Sequence, residues 1–141
     1  MDQMHFSVDL IQLALYHVDF LEYVHKHGLA DDARLLRTAL YKYEKIWLPF
    51  YWQASKEATV DEDAYRLLYP PFDVAWIWHC HLLCPTAYRK DCSSLLGNGG
   101  NEKNAIPNHF CYSIADMQHM QEYTRVRVPA LFDESLDVDW L

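Results

Sequence analysis

Apolar residues recur along this chain at three- and four-residue steps and nowhere keep a sustained two-residue alternation, so the pattern predicts helices and no strands. The first helix runs from a candidate cap at Ser7 to about His27, with Leu10, Leu13, Ala14, Phe20, Leu21 and Val24 on its apolar face and Gly28 as its stop. The second, capped by Asp31 or Asp32, carries Leu35, Leu36, Ala39, Leu40, Tyr43, Ile46 and Trp47 at helical spacing. Pro49 is expected to end or kink it, because proline removes a backbone donor and disfavours helical geometry at the residue before it. Phe50, Tyr51 and Trp52 then read as a short, heavily buried helical continuation.

Asp61, Glu62 and Asp63 resemble the acidic first turn of a short helix reaching Tyr69, with Pro70 and Pro71 as a firm boundary. A helix over Phe72 to about Leu83 follows, opened or capped by Asp73, and Pro85 can start another through Tyr88 and Leu95. Residues 97–105 hold three of the four glycines and read as a flexible loop. Ser113 is the candidate cap of a last helix bearing Ile114, Met117, Met120 and Tyr123, ahead of Pro129 and an acidic tail over 133–141. The expectation is therefore one all-α domain spanning 1–141, a compact bundle of about five to six helices, some short or proline-kinked.

Composition adds weight to the core and narrows the partners. At 141 residues, with 51% hydrophobic and 15% aromatic residues, the chain suits a single domain with a substantial core rather than a disordered segment. Twenty acidic against twelve basic residues give a formal charge of -8, which repels phosphate backbones, so nucleic acid is not expected as a partner. No apolar run is long enough to span a membrane, and the N-terminus does not have the order of a signal peptide, so the reading is cytoplasmic. In a domain with this much core, Cys80, Cys84, Cys92 and Cys111 are expected as free thiols rather than disulfides.

The densest chemistry lies between Pro71 and Cys92, around Asp73, Trp76, Trp78, His79, Cys80, His81, Pro85, Tyr88, Asp91 and Cys92. The order Pro, apolar, Asp, then Trp-His-x-His, Pro, Tyr and Asp-Cys resembles the signature of the glycine-rich-domain-containing-protein-like family. Asp9 with Phe20-Leu21, Tyr43-Glu44 with Trp47-Leu48-Pro49, and Phe110-Cys111-Tyr112-Ser113 extend the resemblance over most of the chain. Lys42 departs from it, since the family's pattern has arginine there, and a lysine would lose any bidentate carboxylate contact. The resemblance implies an association with plant growth, hormone and stress responses. It supplies no biochemical activity, and functions residing in the glycine-rich or RNA-binding segments of larger members do not carry over to these residues.

Two function classes follow. The first is a helical binding or scaffold module for a protein or small ligand, in which His79 and His81 join a buried polar network with Tyr88, Asp91 or Glu44 as partners. The second is a metal-dependent site in which His79, His81 and Asp73, helped by Glu44 or Asp91, hold a transition metal such as zinc, iron or copper. Helical geometry tells against a shared ion, because residues two apart point about 200° from one another. The His-Glu-x-x-His and His-x-Glu with Cys-x-x-Cys spacings of zinc hydrolases and deaminases are both absent. Cys80, placed between two histidines, also raises thiolate chemistry, with no third residue to orient it. Whether the chain is an enzyme, and its oligomeric state, are not legible from these residues.

Overall fold

The computed structural model describes residues 6–57, 67–96 and 112–136, and among these every regular element is helical. Helix α1 spans Leu10–Lys26, α2 Ala33–Lys42, α3 Leu48–Glu57, α4 Phe72–Leu82, α5 Pro85–Leu96 and α6 Ile114–Arg127, with a π-turn over Tyr43–Trp47 and a 3-10 turn over Pro129–Phe132. The π-turn joins α2 to α3 without a break, so the described residues form five continuous rods. The flexible loop expected over 97–105, Cys111 and the tail beyond residue 136 lie outside the described residues. So does most of the helix expected over 61–69, of which Leu67 to Tyr69 are described, with Leu68 and Tyr69 irregular.

The caps explain where the rods begin and end. Asp9, not Ser7, caps α1: its Oδ1 accepts from the Ile11 and Gln12 amides at 3.0 and 3.1 Å. A carboxylate at this position satisfies orphan amides and also meets the positive end of the helix dipole, an advantage that serine lacks. At the other end Gly28 adopts φ 65°, its amide donates to His25 O, and the Leu29 amide donates to Val24 O. This pair of hydrogen bonds is the glycine-terminated stop, in which a residue without Cβ takes the left-handed position at little cost. Asp32 caps α2 through Arg34 and Leu35, and Ser113 caps α6 through Asp116.

Pro49 does not end its helix. It sits two residues past the π-turn, just after Leu48, whose amide reaches back five residues to Tyr43 O. The widened turn shifts the hydrogen-bond register, and the missing proline donor falls where that register is already changing. The chain then continues helical through Tyr51 and Trp52, both buried as expected.

Helix α4 is central. Val74 and Trp78 pack into one cluster with Tyr43, Trp47, Tyr51, Tyr88 and Leu131, while Phe72 and Ala75 pack into a second with Phe20, Val24, Tyr69 and Met117. Trp78 meets Trp47 and Tyr51 edge to face, each at 5.4 Å between centroids, a geometry that ring quadrupoles favour. The irregular Tyr69–Pro70 segment is held by α6: the Tyr69 amide donates to Thr124 Oγ1 at 2.9 Å, and Gln121 Nε2 donates to Pro70 O at 3.0 Å. Those bonds satisfy a buried backbone that has no helix of its own, and they fix the start of α4.

One face of α1 stays outside. Ile11, Leu15 and Val18 are exposed on the side opposite Phe20 and Val24, so this helix is apolar on both faces. No described helix is long and apolar enough to cross a membrane.

Candidate functional site

Helix α4 distributes the chemically interesting side chains in different directions. Asp73 lies in its first turn, His79 faces α1, and His81 in the last turn faces the π-turn and α5. The metal set of His79, His81 and Asp73 is therefore not gathered at one point. Among the described residues no three His, Cys, Asp or Glu side chains converge on a place that could hold a metal ion. What does come together is His81 with Asp91, one of the helper residues, and with Tyr43.

His81 is held from both sides. Its Nε2 lies 3.0 Å from Asp91 Oδ2, and its Nδ1 lies 2.8 Å from the Tyr43 hydroxyl. A carboxylate can only accept, so Nε2 carries the proton and donates to Asp91; Nδ1 is then the acceptor, and Tyr43 donates to it. Burial raises the Tyr43 hydroxyl well above the ordinary tyrosine value, with the charges of Cys92 and Asp91 adding to the effect, so it stays protonated as that donation requires. The Tyr88 ring stands edge-on to the imidazole at 4.8 Å, and its hydroxyl accepts from Trp78 Nε1 at 3.1 Å. Tyr88 thus supports His81 as a ring contact, while the hydrogen bonds come from Asp91 and Tyr43.

These groups line a cleft of about 550 Å³ between the π-turn, α4 and α5. Leu40, Leu48 and Ile77 supply apolar wall, and Tyr43, Glu44, His81 and Asp91 supply polar groups. Glu44 does not join the histidine: its Oε1 accepts from the neighbouring Lys45 at 3.2 Å. Cys80 and Ser94 complete the wall. Burial pushes the Cys80 thiol above its ordinary value, which leaves it a thiol near neutral pH rather than a nucleophilic thiolate. Cys80, Cys84 and Cys92 are free, as expected.

His79 has a different environment. Its ring stacks on Trp76 at 5.8 Å and lies 4.9 Å from His17 and 5.8 Å from Phe20. Burial, and then the nearby His17, lower its pKa below the ordinary histidine value, so it is neutral at physiological pH. Asp73 opens α4, its Oδ1 accepting from the Val74 amide at 2.9 Å. Burial raises its carboxyl while the Lys42 charge opposes the rise.

Two residues central to these sites are not apparent from local sequence. Tyr43 reads as a packing residue of an amphipathic helix, and its partner is 38 positions away. Lys42, which stands where the family's pattern has arginine, is only 5% exposed, and its own helix does not announce that burial.

The comparisons with known proteins bear on the same segment. Over 91 residues, 64% of this chain, it is 41% identical to "Glycine-rich domain-containing protein 1" of Arabidopsis thaliana and 36% identical to "Glycine-rich domain-containing protein 2" of the same plant. The match takes in only 11% of each relative's length, so those proteins are about ninefold longer than the region they share with this chain. No family model matches the chain, and no solved structure matches it.

Proposed function

Taking as premise that these 91 residues belong with the glycine-rich-domain-containing family, we propose that the chain is a binding module whose cleft at His81 receives an amphipathic cation. The observation that carries this reading is the closed network Asp91–His81–Tyr43 beside an apolar wall of Leu40, Leu48 and Ile77. Both imidazole nitrogens are engaged, the phenol is a poor acid and the adjacent thiol is protonated. The group therefore offers shape and charge but no activated base or nucleophile. Two carboxylates, Glu44 and Asp91, stand beside Leu40, Leu48 and Ile77, which suits an apolar body carrying one ammonium or guanidinium group. The chain's net charge of -8 attracts such a group from a distance. A protein side chain and a small molecule would satisfy the same chemistry, and a role in growth or stress signalling would act through such binding.

The test is a titration of phenethylammonium into nitrogen-15-labelled protein, followed by amide shifts. Saturable changes are expected at Leu48, Ile77 and His81, weakened about fivefold by Asp91→Asn, the size expected for one partly exposed charge. Absence of saturable shifts at those amides would overturn the reading. Elemental mass spectrometry on the untagged protein provides the opposing outcome: stoichiometric zinc, iron or copper lost in both His79→Ala and His81→Ala would replace the binding module by a metal centre.

A further inference from the structure

A second cleft, of about 650 Å³, lies at the other end of α4. It is built by Thr38 and Lys42 of α2, Phe72 and Asp73 of α4, Gln121 and Arg125 of α6, and the turn that carries Leu131 and Phe132. Lys42 decides its character. At 5% exposure the residue is almost wholly removed from water, and a buried cation ordinarily closes on a carboxylate. Asp73 and Asp133 are the acids whose charge couples to it. Yet among the described residues no ion pair or hydrogen bond closes on Lys42, so it and Asp73 line the same cleft as separated opposite charges.

The neighbouring polar groups are already committed. Gln121 Nε2 donates to Pro70 O, and the Arg125 guanidinium lies 4.4 Å over the Phe132 ring and 3.5 Å from Glu122. The lining as a whole is balanced, with Arg34, Lys42 and Arg125 against Asp32, Asp73 and Glu134. A simple anion entering here meets the three acids, and a simple cation meets the three bases. A molecule with both charges close together meets neither penalty.

We propose that this cleft binds a small zwitterion with an apolar body, namely a free α-amino acid with an apolar side chain. Its carboxylate pairs with the Lys42 ammonium, its ammonium pairs with Asp73, and its side chain lies against Phe72, Leu131 and Phe132. Pairing on both charges supplies the counter-ions that the fold leaves apart, and charge-assisted bonds in a desolvated cleft are the strong kind. This site is independent of the cleft at His81.

The experiment titrates L-phenylalanine into nitrogen-15-labelled protein and reads the amides of Phe72, Asp73, Gln121 and Leu131. Phenethylammonium and 3-phenylpropanoate, each lacking one of the two charges, serve as the comparison. Saturable shifts at those four amides are expected with phenylalanine, and affinities about tenfold weaker at this cleft with either analogue, the factor that corresponds to one charge-assisted contact. Lys42→Met should weaken phenylalanine binding by a similar factor, and Lys42→Arg should retain most of it. No saturable shift with phenylalanine, equal binding of the singly charged analogues, or an unchanged affinity in Lys42→Met would each overturn the proposal. The first two use the native protein, so they do not depend on any variant folding. Shifts at Leu48, Ile77 and His81 report the other cleft separately.

Discussion

The clefts at the two ends of α4 treat polar groups in opposite ways. Around His81 the hydrogen bonds close on one another: Asp91, the imidazole and Tyr43 form a chain whose members each have a partner. Around Lys42 a nearly buried lysine shares its cleft with the Asp73 carboxylate, and among the described residues no ion pair joins the two. A closed network fixes geometry and leaves recognition to the apolar wall and the charges at its edge. An open one leaves recognition to the unpaired charges themselves. One helix can present both because its first and last turns face different neighbours.

The comparison rests on α4 being rigid, and Trp78 is what holds it. This side chain is 2% exposed, packs edge to face on Trp47 and Tyr51, and donates to Tyr88. Trp78→Ala is expected to cost about 3 to 5 kcal/mol in urea unfolding, through lost burial and the cavity it leaves. Trp76→Ala, on a half-buried face, should cost about 1 to 2 kcal/mol. Equal losses would show that α4 is not anchored on one side, and both clefts would lose their common support.

A smaller effect separates the clefts directly. His81→Phe leaves the buried Tyr43 hydroxyl without its acceptor, and an unsatisfied buried polar group costs about 1 to 3 kcal/mol. Tyr43→Phe should cost less, because the half-buried imidazole it leaves behind can turn to water. Lys42→Met is expected to change stability by less than about 1 kcal/mol, since removing a buried charge that closes no ion pair offsets the lost attraction to Asp73 with relieved desolvation. Urea unfolding of the three variants checks the order. A loss at Lys42 as large as that at His81 would mean that the lysine is structurally paired and the contrast between the clefts is false.

The rods were legible in sequence because caps and periodicity are local. Asp32, Gly28, Pro85 and Ser113 act within four residues of themselves, and the structure uses each where the pattern puts it. Ser7 failed as a cap because Asp9, two positions on, offers a charge as well as an acceptor. Pro49 failed as a stop because the π-turn before it depends on how Tyr43 and Trp47 are buried against α4, which no local rule contains. The site divides in the same way. Asp91 was a legible partner for His81, being ten residues away on the next helix, whereas Tyr43 was not, because packing α2 and the π-turn on α4 is what brings it there.

The least effect concerns His79, which belongs to neither cleft and so tests whether α4 has a third, purely structural face. Its folded pKa lies below the unfolded value of 6.5, because burial and then His17 disfavour the imidazolium. Between those two values the unfolded chain binds more protons than the folded one, so stability rises with pH there and is lost as pH falls from about 6.5 through the folded pKa. Above 6.5 both states are neutral at this residue and it contributes no slope. Replacing His79 by Phe keeps an aromatic ring against Trp76 and Phe20 and removes the titration. The variant's urea midpoint, followed from pH 7.5 down to 5, should therefore fall less steeply than that of the native protein, while the His81 and Lys42 clefts keep their ligand responses. An unchanged slope would show that His79 can be protonated without cost in the folded state. The face toward α1 would then be open enough to water to accept charge, and His79 would have to be considered with His17 as part of a solvated site rather than of the core.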